Sequence, residues 1–145
     1  MSPMSDSWSS TSISSRKPPS LAAGISAINL AEVLNVLARH QGWPVAEVEE
    51  KLRWLTLGGL EVWAVDEGIG LRAGRLHARH SERERRALAM ADCVALATAM
   101  LLDRRLATSD PALLSAAADE GRQIVVLPDS QGRRSAIGGA TTGGT

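Results

Sequence analysis

The sequence predicts an α/β domain in which a parallel sheet is covered by helices. Three observations predict it. Short runs of aliphatic and β-branched residues alternate with segments of helical period. One late segment, "ALAMADCVALATAMLLD", is apolar nearly all round, which suits the middle of a layered molecule. The stretch "RRLATSDPALLSAAADEGRQIVVLP" reads as a strand, a tight turn, a helix and a second strand, the unit from which parallel sheets are built. At 145 residues the chain holds one domain with a real core and is too short for two ordinary ones.

Residues 1–22 are Ser- and Pro-rich without period and read as a loose arm. The domain is expected over 23–129, followed by a flexible Gly-rich tail over 130–145. Within the domain "GISAI" reads as a strand. "NLAEVLNVLARH" reads as a helix with Leu30, Val33, Leu34 and Leu37 on one stripe. "WPVAEVEEKLRWLTL" is a second helix, with Pro44 where a first turn tolerates proline. "LEVWAV" is a strand, and "DEGIGLRAGRLHARH" a helix despite its three glycines. The segment from Ser81 to Asp103 reads as one helix, charged in its first half and apolar in its second. The strand "QIVVL" closes the order, and no internal repeat is visible.

Composition narrows the function classes. Lys plus Arg equals Asp plus Glu at 16 each, so the chain lacks the basic excess of a protein that coats nucleic acid. With four Trp and no Phe or Tyr, it has little material for base-stacking platforms. Cys93 is the single cysteine, which excludes an internal disulfide and a Cys-based zinc site; its apolar neighbours read it as a small buried hydrophobe. Neither a signal-peptide stretch nor a run of membrane-spanning length occurs, so a soluble cytoplasmic protein is expected.

Three acids stand out. Glu32 and Asp110 each follow a predicted strand closely, at the edge where open parallel sheets gather their reactive groups. Asp92 lies among Met90, Ala91, Cys93 and Val94, where an ionised carboxylate costs several kcal/mol unless something pairs with it. Carboxylates converging on one edge call for a cation, and hard oxygen donors suit Mg²⁺ or Mn²⁺. Each acid also has a structural reading. Asn29 and Glu32 fit a capping box, Asp110 before Pro111 is a helix cap, and Asp92 would cap a helix that began late. His40, His77 and His80 show no metal-ligand spacing and read as solvated. Arg83, Arg85 and Arg86 alternate with Glu82 and Glu84 and read as a self-paired wet face, with phosphate contact as the other reading. The Gly58–Gly59 pair precedes a strand, so it marks a turn and no phosphate cradle.

Four segments, "ISAINLAEVLNVLAR", "LEVWAVDE", "ALAMADCVALATAMLLD" and "LATSDPALL" with its following "IVVL", resemble PIN-domain proteins in order and spacing, and among them the VapC-type toxins of bacterial toxin–antitoxin pairs. The resemblance runs from Gly24 to Leu127. It implies a three-layer α/β fold with the parallel sheet covered by helices on both faces, a Mg²⁺- or Mn²⁺-dependent ribonuclease, a cognate antitoxin and a homodimer. Position by position, it implies that Glu32, Asp92 and Asp110 are catalytic metal ligands and that Thr108 is a polar group supporting them. One departure is plain. Such proteins begin with an apolar strand ending in aspartate, which lies centrally in the sheet; here the Ser-rich arm takes its place. Asp6 is the sole acid upstream of Glu32, without an apolar strand before it and too close to Glu32 for the pattern. The first strand is therefore expected to be missing or replaced, through a cut or altered start or through decay of the copy. Ion affinity should fall with three acids in place of four.

The leading expectation is a toxin that hydrolyses RNA phosphodiester bonds with metal assistance. Its alternative is a catalytically inactive PIN-like protein that keeps only the antitoxin-binding face. An aspartyl-phosphate receiver needs an acidic pair after the first strand and a late lysine, and Lys51 is the last lysine in the chain.

Overall fold

The computed structural model describes residues 23–83 and 88–136. The arm with Asp6, and Glu84, Arg85 and Arg86 of the charged run, lie outside the described residues, as do the side chains of Glu82 and Arg83. Nine elements follow in order: β1 (Gly24–Ser26), α1 (Ala27–Arg39), α2 (Val45–Leu57), β2 (Glu61–Trp63), α3 (Glu67–Arg83), α4 (Met90–Leu101), β3 (Leu106–Thr108), α5 (Pro111–Asp119) and β4 (Ile124–Val126). The class is α/β, mostly helical with small parallel sheets.

The expected single sheet is found in two pieces. β1 pairs with β2 in parallel, Ile25 opposite Val62, and β3 pairs with β4 in parallel, Ala107 opposite Val125. No backbone ladder joins the two pairs among the described residues. Both pairs are held to α4. The Nδ2 of Asn29, just past the end of β1, donates to the carbonyl of Ala91 at the start of α4 (3.0 Å). The amide of Arg104, just before β3, donates to the carbonyl of Ala99 near the end of α4 (2.8 Å). The C-terminal end of β1 therefore lies by the first turn of α4, and β3 sets out from the far end of that helix.

The core sits between α3 and α4. Ile69, Ala73 and Leu76 of α3 join Leu88, Cys93, Val94, Leu96, Ala97 and Ala99, with Leu106 and the inner face of α5 completing the cluster. Leu96 is fully buried, and truncating it to alanine would cost about 2–5 kcal/mol. The spacing Ile69, Ala73, Leu76 explains why three glycines do not break α3: its apolar stripe is packed along its length.

Two boundaries differ from the sequence reading. The segment from Ser81 to Asp103 is not one helix, because Ser81 to Arg83 complete α3 and α4 starts afresh at Met90. Helix α1 begins two residues before Asn29, since β1 stops at Ser26 and Ser26 supplies the cap. His80 also departs from expectation: it is buried, and its Nε2 lies 2.9 Å from the Glu120 carboxylate, which also accepts from Arg79 (2.7 Å). This cluster ties the end of α3 to the C-terminus of α5. After β4, the Asp129 carboxylate accepts from the amides of Gln131 and Arg133 and closes a turn that Gly132 completes at φ 77°.

Candidate active site

Helix α4 opens without a side-chain cap on Ala89. Asp92, in its first turn, takes over that task, because its carboxylate accepts the Ala89 backbone N–H while its own amide donates to the Ala89 carbonyl (3.1 Å). The late start of the helix thus accounts for part of the Asp92 position. It does not account for the electrostatics. Burial, then the negative charges of Asp110 and Glu32, raise the Asp92 carboxyl above its ordinary range, against the Ala89 hydrogen bond that lowers it. Two acids distant in sequence therefore act on the same side chain.

Asp110 reaches this place through β3 and the turn behind it. It caps α5, accepting from the Ala112 amide (2.9 Å), with Pro111 at the first helical position. Thr108 holds the turn: its hydroxyl accepts from the Asp110 amide (3.1 Å). The capping reading of Asp110 stands, and one carboxylate oxygen does the capping.

Glu32 arrives by a different route. The capping box drawn on Asn29 and Glu32 does not form, because Ser26 caps α1 by accepting from the Asn29 amide (3.1 Å), and the Ser26 hydroxyl donates to the Asn29 side chain in return. Glu32 sits one turn further on, exposed and relieved of any capping role. Asn29 is a residue whose part the sequence reading missed. Its side chain ties α1 to the first turn of α4 and so fixes where Glu32 stands relative to Asp92. Its signal was a polar residue one turn before Glu32, which a cap explains equally well.

Cys93, next to Asp92, is buried, and burial followed by the Asp92 charge pushes its thiol up to about 11, so it is an inert core residue. His40 is exposed and His77 half-buried, and neither is among the groups that act on Asp92.

Asp92 closes one end of a cavity of about 620 Å³ that runs along α4 between β1 and β3. Ser26, Asn29 and Thr108 line the same space. Among the described residues, no three His, Cys, Asp or Glu side chains converge closely enough to hold a metal ion. The donor chemistry nonetheless fits a hard divalent cation. Every candidate ligand is a carboxylate, and negative charge gathered near Asp92 is what such a cation offsets.

Among curated proteins no match to the chain is found. The family model of the PIN domain matches residues 14–119, a span holding β1 to α5 and all three acids. The fold is thus of nuclease type, one used often in toxin–antitoxin systems and typically with divalent metals. No helix among the described residues is long and apolar enough to cross a membrane. By the extent of the match, and by its helices and parallel strand pairs, the chain belongs to the PIN-domain family.

Proposed function

We propose that the chain is a VapC-like toxin, a ribonuclease that hydrolyses RNA phosphodiester bonds, with a cognate antitoxin and a second copy of itself as partners. Glu32, Asp92 and Asp110 would hold one or two Mg²⁺ or Mn²⁺ ions. A divalent ion there supplies an activated water and charge stabilisation on phosphate oxygens. The protein's own part is positioning. Ser26 and Asn29 fix the base of α1 against α4, Thr108 fixes the turn that presents Asp110, and the α4 backbone fixes Asp92. The balanced net charge accords with a site that receives a polyanion only once its carboxylates are neutralised.

One observation carries this reading: Asp110 and Glu32, brought from separate elements, both act on Asp92. Its test is cleavage of a structured RNA by the full chain with Mn²⁺. Cleavage lost in Asp92→Asn supports the assignment, and cleavage that persists in that variant overturns it.

A second reading has its own support. The three acids stand looser than a ligand set, and the sheet is split beside them. A catalytically inactive PIN-like protein that binds an antitoxin would have both features. Calorimetric titration with Mn²⁺ separates the two, since absence of heat at millimolar metal favours the binding protein.

A further inference from the structure

The segments that bring the three acids together carry no cation of their own. Residues 26–32, 88–92 and 108–112 hold Glu32, Asp92 and Asp110 and no Lys, Arg or His. The chain leaving β4 supplies one beside them. The Leu127 amide donates to the Thr108 carbonyl (2.9 Å), and the Thr108 hydroxyl accepts from the Asp110 amide. Asp110 and Asp129 therefore each stand two residues from one hydrogen bond, about 7 Å of extended chain on either side. At Asp129 the chain folds on itself. One carboxylate oxygen accepts from the amides of Gln131 (2.8 Å) and Arg133 (2.9 Å), and the other accepts from the Arg133 guanidinium (3.0 Å). The Asp129 amide donates to the Arg133 carbonyl (2.7 Å), and the Gly132 amide to the Asp129 carbonyl (2.9 Å). The Arg133 side chain is thus engaged in closing the turn. Arg134, the next residue, is exposed and has no ion pair among the described residues.

We infer that this turn is part of the RNA-binding surface: Arg134 binds a backbone phosphate next to the one that is cleaved, and Asp129 is the positioning residue that holds the turn beside Asp110. The inference rests on the nuclease reading and adds to it a residue beyond 119, where the PIN-domain match ends. Divalent ions held by carboxylates serve the scissile phosphate, whereas the phosphates flanking it still meet a carboxylate-bearing surface. A guanidinium donates two parallel hydrogen bonds to phosphate oxygens and is weakly hydrated, so it makes that contact at small desolvation cost. The turn is ready for this task. The Arg133 amide, ahead of the Gln131 amide and the Arg133 side chain, holds the Asp129 carboxyl below its ordinary 3.8, so the turn stays closed at neutral pH. A segment already tied by its own hydrogen bonds loses little freedom when the strand arrives.

The test is binding of a labelled single-stranded RNA of about twelve nucleotides to the full chain, read by fluorescence anisotropy over a range of salt with Ca²⁺ in place of Mn²⁺. Arg134→Gln should weaken binding about fivefold and shrink the slope of log affinity against log salt by about 0.7, the loss of one phosphate contact. Arg134→Lys keeps the charge and should keep that slope. Asp129→Ala removes a negative charge, so bare charge predicts tighter binding; an opened turn predicts binding weaker by about twofold or more. In the cleavage assay with Mn²⁺, Arg134→Gln should raise KM and leave kcat unchanged, because the contact is made in ground and transition states alike. Unchanged affinity and slope in Arg134→Gln overturn the inference and leave the nuclease reading standing, as does tighter binding by Asp129→Ala. Weaker binding in Arg134→Gln from a parent that cleaves nothing keeps the contact and overturns the nuclease reading. A parent that binds no RNA overturns both. Oligoglutamate that competes as strongly as RNA assigns the turn to an acidic protein and overturns the inference too.

Discussion

Asp92 is a side chain held at a cost, and its sign is testable. Its folded-state carboxyl binds protons more tightly than the ordinary 3.8, so the native state carries more protons than the unfolded one just above that value. Stability therefore falls as pH rises through this window and levels off above the folded value. Asp92→Asn keeps an oxygen to accept the Ala89 amide and removes the charge. The variant should melt about 2–4 °C higher than the parent at neutral pH without metal. Added Mn²⁺ should raise the parent's Tm and leave the variant's unchanged, because only a native state that binds the ion is stabilised by it. Glu120 behaves oppositely. Burial alone would raise its carboxyl, but hydrogen bonds from His80 and Arg79, with their charges, hold it below its ordinary 4.5. Its contribution is thus present above that value and fades as pH falls through the folded one. Glu120→Ala should cost about 1–3 kcal/mol in urea unfolding at neutral pH, because it strands the buried His80, and the cost should shrink in acid. This cluster was not legible in the sequence, since its members lie 40 residues apart and a histidine at a charged helix end usually meets water.

At the level of elements, Asp110 joins two duties that substitutions can separate. Asp110→Asn retains a capping oxygen and should leave stability within about 0.5 kcal/mol while removing any response to Mn²⁺; Asp110→Ala should lose the cap as well, about 0.5–2 kcal/mol by denaturant unfolding. If the asparagine variant still responds to Mn²⁺, Asp110 is a cap alone. The start of α5 was legible because Asp110 and Pro111 say the same thing locally. The start of α1 was not, since Ser26 and Asn29 are both good caps three residues apart and only the end of β1 decides between them. The start of α4 was hidden more thoroughly. Good helix formers run from Ser81 through Ala91, no Gly or Pro marks the break, and the cap is the backbone of Ala89, answered by Asp92. Periodicity found the helices and short aliphatic runs found the strands, but the partition of the strands into two pairs is a matter of tertiary contact, which no local pattern encodes.

For the whole molecule the uneven distribution of core has a consequence for association. Helices α3, α4 and α5 bury their apolar faces, whereas α1 buries no residue fully and α2 buries only Val48. The α1–α2 hairpin leaves Val33, Val36, Trp43, Trp54, Leu55 and Leu57 in solvent, Trp54 at 66% and Leu57 at 73% exposure. Apolar side chains gathered on one hairpin mark a surface made for contact, and the proposed second copy is the partner that needs no further component. Sedimentation velocity of the full chain at micromolar concentration should show a dimer. The double variant Trp54→Glu, Leu57→Lys should sediment as a monomer with cooperative unfolding intact, since neither side chain contributes to the core. A parent chain that stays monomeric would assign this surface to a different protein, and the hairpin would then be the place to seek the antitoxin.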